Sequence, residues 1–266
     1  MIKAVFFDLD GTLVPYGEPG MSARLREDLL ELRRRGVMTI LATGRGKHDL
    51  KNIGMLGDME FDSYITYNGY CCYDDAGVYR SVSMSQADLE AACAVLRANP
   101  EIVAIVEGEN GNFFNRMDDE ILEKYREVSP KAYPVRPPEA SIGEAVYQVV
   151  PFIERGREDL FLSVMPGCTA TRWSEYATDL IPKGNGKADG IRAALERYGL
   201  KAEETIAFGD GENDIPMLKI AGTGVAMGNA KQLVKEAADH VTLSVREDGV
   251  SAALRYFGVL EQGELV

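Results

Sequence analysis

The sequence predicts an α/β protein with a doubly wound, mostly parallel Rossmann-like sheet and an inserted α+β cap domain. Apolar runs of strand length alternate with amphipathic helix patterns at both ends of the chain, as in α/β folds. The middle of the chain interrupts this alternation with proline-rich and strand-rich sequence. These changes predict a core domain at residues 1–83, a cap domain at 84–182 and the second part of the core at 183–266.

The first three elements of the predicted core form a strand, helix and strand unit. Residues 2–7 are almost continuously apolar, which is typical of a central parallel strand. Residues 22–35 carry leucines at helical spacing and stop before Gly36, where a helix commonly ends. Residues 37–42 repeat the apolar run, so the unit predicts a right-handed crossover.

The last third of the chain continues the alternation and completes the predicted core. Asn229 is the expected N-cap of the helix predicted at 230–238. The segments are a helix at 187–198, a strand at 205–208, a helix from Ile215, a strand at 224–227, a helix at 230–238 and a strand at 241–243.

The predicted cap domain mixes helices with strands. Its expected helices cover residues 85–98, with Ser85 as the cap, and 117–128. Its expected strands cover residues 102–106, 145–152, 160–164 and 169–174. Upstream of it, Asn68 and Gly69 predict a tight turn between two short strands of the core.

Composition excludes several classes of protein. The chain has 266 residues, 45% of them hydrophobic, and a formal net charge of -13. Such a charge opposes binding to nucleic acid or an anionic membrane. The four cysteines form no CxxC pair, so neither a zinc site nor a disulfide framework is expected. No signal peptide pattern precedes the first strand, and a cytoplasmic location is expected.

Asp8 and Asp10 directly follow the first predicted strand. Ligand sites in open α/β sheets lie beyond the carboxyl ends of strands, where both carboxylates can turn toward the site. A carboxylate such as Asp8 is a competent nucleophile toward phosphorus, and Asp10 is suited to general acid and base catalysis. The alternative is a solvated turn that uses Gly11 for backbone freedom and Thr12 as a helix cap.

A second acidic group follows the predicted strand at 205–208. Asp210 and the nearby Asp214 suit a hard cation with oxygen ligands, and the expected cofactor is Mg²⁺. Asp8, a backbone carbonyl near Asp10 and Asp210 are the expected ligands. The alternative is an ordinary loop in which Asp214 caps the helix that begins ahead of Pro216.

Two weaker signals complete the predicted site. Thr43, Gly44 and Arg45 follow the second strand, where a hydroxyl and free backbone N–H groups can bind phosphate. Lys187 opens a predicted helix and has the charge needed to neutralise phosphoryl oxygens. Lys183 is the competing lysine in the same stretch.

Taken together, the ordered motifs resemble those of the haloacid dehalogenase superfamily, specifically its Cof-type branch with a large C2-type cap. The matching segments are Asp8-Leu-Asp-Gly-Thr-Leu13, Ala42-Thr-Gly-Arg45, Lys187 and Phe208-Gly-Asp-Gly-Glu-Asn-Asp214. One departure is Ala188, where many relatives have glycine after the lysine.

The resemblance implies a role for each matched residue. It makes Asp8 the nucleophile and a metal ligand, Asp10 the acid/base and a metal ligand through its carbonyl, and Asp210 a metal ligand. Asp214 is expected at the metal, directly or through its water shell. The expected catalytic and substrate-binding partners of the phosphoryl group are Thr43, Gly44, Arg45, Lys187 and Asn213.

The predicted function is Mg²⁺-dependent hydrolysis of a small phosphorylated metabolite, such as a sugar phosphate, through an aspartyl phosphate at Asp8. The alternatives are a phosphomutase-like phosphotransferase and a non-catalytic sensor of phosphorylated metabolites. No nucleic-acid or membrane partner is expected. The substrate and the oligomeric state are left open, because neither has a distinctive pattern in the sequence.

Overall fold

The computed structural model describes residues 1–261 except positions 53, 127–132, 173–174 and 185. The chain divides into two compact units. The first contains Met1–Arg45, Gly54–Ser81 and Asn185–Val266, and the second contains Gly46–Ile53 and Val82–Gly184. The assignment of these units to a core and a cap domain stays a prediction.

The segment Gly46–Ile53 groups with the second unit, although the prediction counts it with the first part of the core. Its contacts explain this grouping. The buried Asp49 carboxylate accepts hydrogen bonds from the Asn112 side chain at 3.1 Å and from the Tyr133 hydroxyl. These two partners come from residues 82–184 and fasten the segment to that unit.

The strands and helices are numbered here in chain order. The strands are β1 (Ala4–Phe7), β2 (Met38–Ala42), β3 (Ser63–Thr66), β4 (Cys71–Asp74), β5 (Gly77–Ser81), β6 (Ala104–Gly108), β7 (Gly111–Phe114), β8 (Val146–Pro151), β9 (Cys168–Arg172), β10 (Thr178–Pro182), β11 (Thr205–Gly209), β12 (Thr223–Ala226) and β13 (His240–Val241). The α-helices are α1 (Ala23–Arg34), α2 (Lys47–Asn52), α3 (Gln86–Ala98), α4 (Asp119–Arg126), α5 (Asp159–Leu162), α6 (Lys187–Tyr198), α7 (Ile215–Ile220), α8 (Gln232–Ala237) and α9 (Gly249–Tyr256).

The first unit is built on an eight-stranded sheet with the order β13-β12-β11-β1-β2-β3-β4-β5. The strands from β13 to β3 are parallel, and β4 and β5 run antiparallel to their neighbours. β1 and β11 are buried along their whole length, which explains their continuous apolar sequence. The predicted fold class, a mostly parallel Rossmann-like sheet with an inserted α+β region, is confirmed.

The register of the central strands decides where the site lies. β1 pairs in parallel with β11 and β2, so Phe7 stands beside Phe208 and Leu41. The three strands therefore end at one edge of the sheet. Asp8, Thr43 and Asp210 each directly follow one of these strands, so they lie at that edge.

The second unit contains a five-stranded antiparallel sheet with the order β7-β6-β8-β10-β9. α3 and α5 pack on one face of it, where Leu89 and Phe161 join the cluster that contains Val149. Ser85 caps α3 as predicted, because its hydroxyl oxygen accepts a hydrogen bond from the Asp88 N–H at 3.1 Å. Ser22 caps α1 in the same way through Leu25 N–H, at 3.0 Å.

The predicted strand at 160–164 is wrong, because residues Asp159–Leu162 form the short helix α5. A short apolar run has no periodicity that separates a strand from a buried helical turn. Here Phe161 alone of the run is completely buried, and Leu160 and Leu162 are partly buried beside it. Strands β7 and β10 were not predicted.

Two other elements of this region differ from prediction at their ends. α4 spans Asp119–Arg126 and β9 spans Cys168–Arg172, whereas the predictions are 117–128 and 169–174. Positions 127, 128, 173 and 174 of those predictions lie outside the described residues.

Asn229 is not the N-cap of the helix after β12. α8 begins at Gln232, and its cap position is Lys231, whose side chain makes no capping hydrogen bond. The predicted final strand at 241–243 is His240–Val241. The Asn229 side chain instead bonds toward the residues after β1 and β11, as described below.

In the described part of the chain, every helix is too short or too polar to cross a membrane.

Gly190 allows α6 to lie against β3 and the turn that follows it. A Cβ atom at this position would stand 2.4 Å from Ile65 Cγ2 and 3.0 Å from Gly69 Cα. Alanine normally stabilises a helix interior over glycine by about 1 kcal/mol. We expect Gly190→Ala instead to lower the free energy of unfolding by about 1–3 kcal/mol, because the atoms must move apart.

Denaturant unfolding tests this expectation. The loss of unfolding free energy caused by Gly190→Ala should be smaller in an Ile65→Ala background, because that substitution removes one of the two clashing groups. If Gly190→Ala is more stable than the natural protein, α6 does not lie this close to Ile65 and Gly69.

Candidate active site

Asp8 lies at the centre of the site, directly after β1. Its backbone N–H donates to the Phe208 carbonyl at 3.0 Å, which ties the residue to β11. Its side chain is almost completely buried, and Oδ1 accepts a hydrogen bond from Lys187 Nζ at 2.5 Å. The sequence thus places an anionic group in a position where it needs a cationic partner.

Lys187, the first residue of α6, supplies that partner. Its side chain has no exposed surface, and Nζ donates to Asp8 Oδ1 and Asp214 Oδ1, each at 2.5 Å. The buried ammonium therefore bridges two carboxylates from different strand ends. Lys183, the competing lysine, has an exposed side chain.

Asp214 is fixed through both of its carboxylate oxygens. Oδ1 accepts from Lys187, and Oδ2 accepts the backbone N–H groups of Asp210 and Gly211 at 3.0 and 2.9 Å. A Cβ atom at Gly211 would stand 2.4 Å from Asn213 Oδ1, so glycine leaves room for that side chain. Asp214 stands before α7, yet its side chain makes no capping bond to that helix.

Asp8, Asp210 and Asp214 form a cluster that fits a divalent cation. Each offers a carboxylate oxygen, and these three oxygens all lie within 4.8 Å of one another. Hard cations such as Mg²⁺ prefer oxygen ligands of this kind. Within the described residues, Lys187 pairs with two of these three carboxylates, so the cluster has excess negative charge that a cation would offset.

The crowding of charge is visible in the acid–base properties of the cluster. Burial, and then the charge of Asp214, raises the pKa of Asp8 well above its usual value, with Lys187 opposing the change. The same two causes raise the pKa of Asp210 to about 7. Burial by itself would lower the pKa of Lys187, but the charges of Asp214 and Asp8 outweigh it and raise that pKa.

Asp10 is paired with Arg45 rather than with the buried cluster. Arg45 Nε donates to Asp10 Oδ2 at 2.6 Å, and Nη2 donates to Oδ1 at 2.7 Å. This two-point geometry fixes the plane of the carboxylate. Both side chains are partly exposed, so the pair lies nearer to solvent than Lys187 does.

The loop after β2 holds Thr43, Gly44 and Arg45. Thr43 is buried, and its hydroxyl oxygen accepts the Arg45 N–H at 3.1 Å, which tightens the loop. A Cβ at Gly44 would come within 3.3 Å of the Asn68 side chain, so glycine allows this close approach. Asn213 donates to Asn68 Oδ1 at 3.1 Å and is brought to the same place.

Asn68 is therefore more than the turn residue that the sequence indicated. It does lie in a tight turn between β3 and β4, with a positive φ of 53° that asparagine tolerates. Its side chain also accepts a hydrogen bond from Asn213, in the loop after β11, and lies where a Cβ at Gly44, in the loop after β2, would crowd it. The signal was available, since Asn68 follows a parallel strand at the same edge of the sheet as Asp8.

Thr12 and Asn229 were missed as site residues. The Thr12 hydroxyl donates to Asp210 Oδ1, and Asn229 Nδ2 approaches Asp210 Oδ2, both at 3.3 Å. The sequence gives Thr12 a place in the first motif and a possible role as a helix cap, and neither indicates a contact with Asp210. Asn229 follows β12, the strand beside β11, so the strand-end rule also applies to it.

Comparison with known proteins identifies the class to which this fold and site belong. The pattern of the haloacid dehalogenase-like hydrolases matches residues 5–254. The chain belongs to this family. The predicted family is confirmed, and the phosphatases among its relatives confirm the predicted class of enzyme.

Individual relatives cover almost the whole chain. "Putative phosphatase YkrA" of Bacillus subtilis is 31% identical over 97% of this chain and 99% of its own length. The solved structure of the subclass IIB sugar phosphatase BT4131 is 34% identical and superposes with a TM-score of 0.88, over 97% of this chain and 100% of that one. The phosphatase BT1666 from Bacteroides thetaiotaomicron is 33% identical with a TM-score of 0.86, over 98% and 96%.

The raised pKa of Asp210 predicts how stability depends on pH without metal. Its pKa rises from 3.8 to about 7 on folding, so between these pH values the folded protein holds a proton that the unfolded chain has lost. The contribution of Asp210 to stability is therefore largest below 3.8 and is lost as pH rises through about 7.

Denaturant unfolding in EDTA across this pH range measures the effect. Residue 210 cannot titrate in Asp210→Asn. As pH rises, the natural protein should therefore lose stability relative to this variant, by at most about 1.4 kcal/mol per pH unit. Parallel stability profiles for the two proteins would show that Asp210 is not titrating in this window.

Proposed function

We propose that this chain is a Mg²⁺-dependent phosphomonoesterase that hydrolyses a small phosphorylated metabolite of the sugar phosphate class through an aspartyl phosphate at Asp8. The observation that carries the proposal is the buried Asp8–Lys187–Asp214 bridge beside Asp210. The relatives support the class of substrate. BT4131 is a sugar phosphatase, and the 25% identical YwtE of Bacillus subtilis is a 5-amino-6-(5-phospho-D-ribitylamino)uracil phosphatase.

The ligands that we assign to Mg²⁺ are Asp8, Asp210 and the backbone carbonyl of Asp10. Asp210 suits direct ligation, because the contacts that its oxygens accept from the described residues are the long ones at 3.3 Å from Thr12 and Asn229. Asp214 suits a supporting role, because both of its oxygens already accept strong hydrogen bonds. When bound, Mg²⁺ offsets the repulsion between Asp8 and the anionic phosphoryl group.

In the first half of the reaction, Asp8 attacks phosphorus in line with the leaving oxygen. A bond forms between phosphorus and a carboxylate oxygen of Asp8, and the bond from phosphorus to the substrate oxygen breaks. Lys187 keeps the Asp8 carboxylate oriented and adds positive charge where phosphoryl oxygens accumulate negative charge. Thr43, Gly44 and Asn213 are the proposed partners of those oxygens.

Asp10 moves the protons. It gives one to the departing oxygen of the substrate, and in the second half it takes one from the water that attacks the aspartyl phosphate. The two hydrogen bonds from Arg45 hold the Asp10 carboxylate in one orientation. We infer that this pair loosens when substrate is bound, so that Arg45 turns to the substrate and Asp10 can carry a proton.

A screen of phosphorylated metabolites tests the proposal by measuring released phosphate with and without Mg²⁺. We expect turnover of sugar phosphates that needs Mg²⁺, no detectable turnover by Asp8→Asn, and a loss of about 10²–10⁴-fold in Asp10→Asn. Asp75→Asn makes the same chemical change at an exposed position and should match the natural protein.

Three results would contradict the proposal. Retained turnover in Asp8→Asn would exclude the aspartyl phosphate. Transfer of the phosphoryl group to a second sugar instead of water would identify a phosphotransferase. Binding of phosphorylated metabolites without any turnover would identify a sensor.

A further inference from the structure

Asn229 makes three hydrogen bonds that join separate parts of the first unit. Its Nδ2 donates to the Gly11 carbonyl at 2.9 Å and approaches Asp210 Oδ2 at 3.3 Å. Its Oδ1 accepts the Val245 N–H at 2.8 Å. The side chain is exposed to solvent, so these polar contacts, and not packing, define what it does.

The orientation of the Asn229 amide is determined by its partners. Reversing the amide would point Oδ1 at the Gly11 carbonyl and the Asp210 carboxylate, two acceptors that it would repel. It would also leave the Val245 N–H facing an NH₂ group. The donor of Asn229 is therefore directed at Asp210 by its surroundings.

The two groups that Asn229 contacts are brought together by glycine. Gly11 has a φ of +84°, and a Cβ atom there would stand 2.3 Å from Asp210 Oδ2. The backbone after β1 thus lies directly against the Asp210 carboxylate. One amide group can then reach both the carbonyl and the carboxylate.

The two described side-chain donors to the Asp210 carboxylate are neutral. Thr12 contacts Oδ1 and Asn229 contacts Oδ2. A neutral donor orients a carboxylate and leaves it anionic, whereas a lysine or arginine in the same place would compete with a cation for its charge. Outer hydrogen bonds of this kind hold metal ligands in position and tune metal affinity.

We propose that Asn229 is a positioning residue for the divalent cation, which acts by fixing the Asp210 carboxylate against the Gly11 backbone. The inference rests on the proposed function, since it needs Asp210 to be a metal ligand. Without the Asn229 donor, Asp210 loses one of its two described side-chain restraints, and Mg²⁺ affinity falls by about 10–100-fold.

Asn229→Leu tests the proposal, because leucine has nearly the same size and neither donates nor accepts. The readouts are the Mg²⁺ dissociation constant by calorimetry with MgCl₂ and the spectrum of bound Mn²⁺ by electron paramagnetic resonance. We expect weaker Mg²⁺ binding and a broadened Mn²⁺ spectrum. Saturating Mg²⁺ should restore much of kcat, since Asn229 acts through Asp210. Asn229→Ala serves as a second variant if Asn229→Leu is unstable.

Val245→Pro separates positioning from simple anchoring of the loop. It removes the N–H that holds Asn229 Oδ1, at the first position of a 3₁₀ turn, where proline is well tolerated. The preceding Ser244 has a ψ of 163°, which is compatible with a following proline. Because the donor of Asn229 is retained, Mg²⁺ affinity should fall less in Val245→Pro than in Asn229→Leu.

The outcomes distinguish the inference from the proposed function. If the natural protein binds Mg²⁺ and Asn229→Leu binds it equally well, the inference is wrong and the proposed function stands. If all variants lose melting temperature equally with unchanged Mg²⁺ affinity, Asn229 only anchors its loop and the inference is again wrong. If the natural protein binds no Mg²⁺, the proposed function fails and the inference fails with it.

Discussion

The bridge from Lys187 to Asp8 and Asp214 is the interaction on which the rest of the site depends. Two carboxylates and the Lys187 ammonium are buried together. Removal of the ammonium would leave two uncompensated negative charges in the interior. The first turn of α6 must therefore reach the ends of β1 and β11. Small residues make this possible, since a Cβ at Gly69 would lie 2.4 Å from the Gly186 carbonyl.

The bridge also explains why the site is suited to a cation and a phosphoryl group. One ammonium offsets only part of the charge of Asp8, Asp210 and Asp214, and the raised pKa values of Asp8 and Asp210 express what is left over. Asp10 is kept apart in its pair with Arg45. The nucleophile and the proton carrier that we propose thus have different cationic partners, Lys187 for Asp8 and Arg45 for Asp10.

Much of the fold followed from local sequence because β1, β2, β11 and α6 carry strong, unbroken patterns that the tertiary structure does not override. The rule that ligand sites lie beyond the carboxyl ends of parallel strands predicts Asp8, Thr43 and Asp210 at one edge of the sheet. Local sequence pattern fails for residues 160–164, where a short apolar run fits a buried helical turn as well as a strand. It also missed β10, whose sequence ends in a proline.

The site residues that escaped prediction are the ones whose function depends on distant partners. Asn229 resembled a helix cap because a helix follows it, but its acceptors lie after β1 and β11, more than two hundred and about twenty residues away in the chain. The pairing of Arg45 with Asp10 likewise depends on the register of β1 and β2. Such contacts arise from packing of the sheet and leave no local pattern.

The most direct test of the account is the chemical identity of the intermediate. The enzyme would be mixed with excess substrate and Mg²⁺, quenched in acid within one turnover, digested and analysed by mass spectrometry. We expect the phosphoryl group on the peptide that contains Asp8, with borohydride reducing that residue alone. A phosphoryl group on any other residue, or turnover with no phosphorylated peptide at any time point, would contradict the central claim.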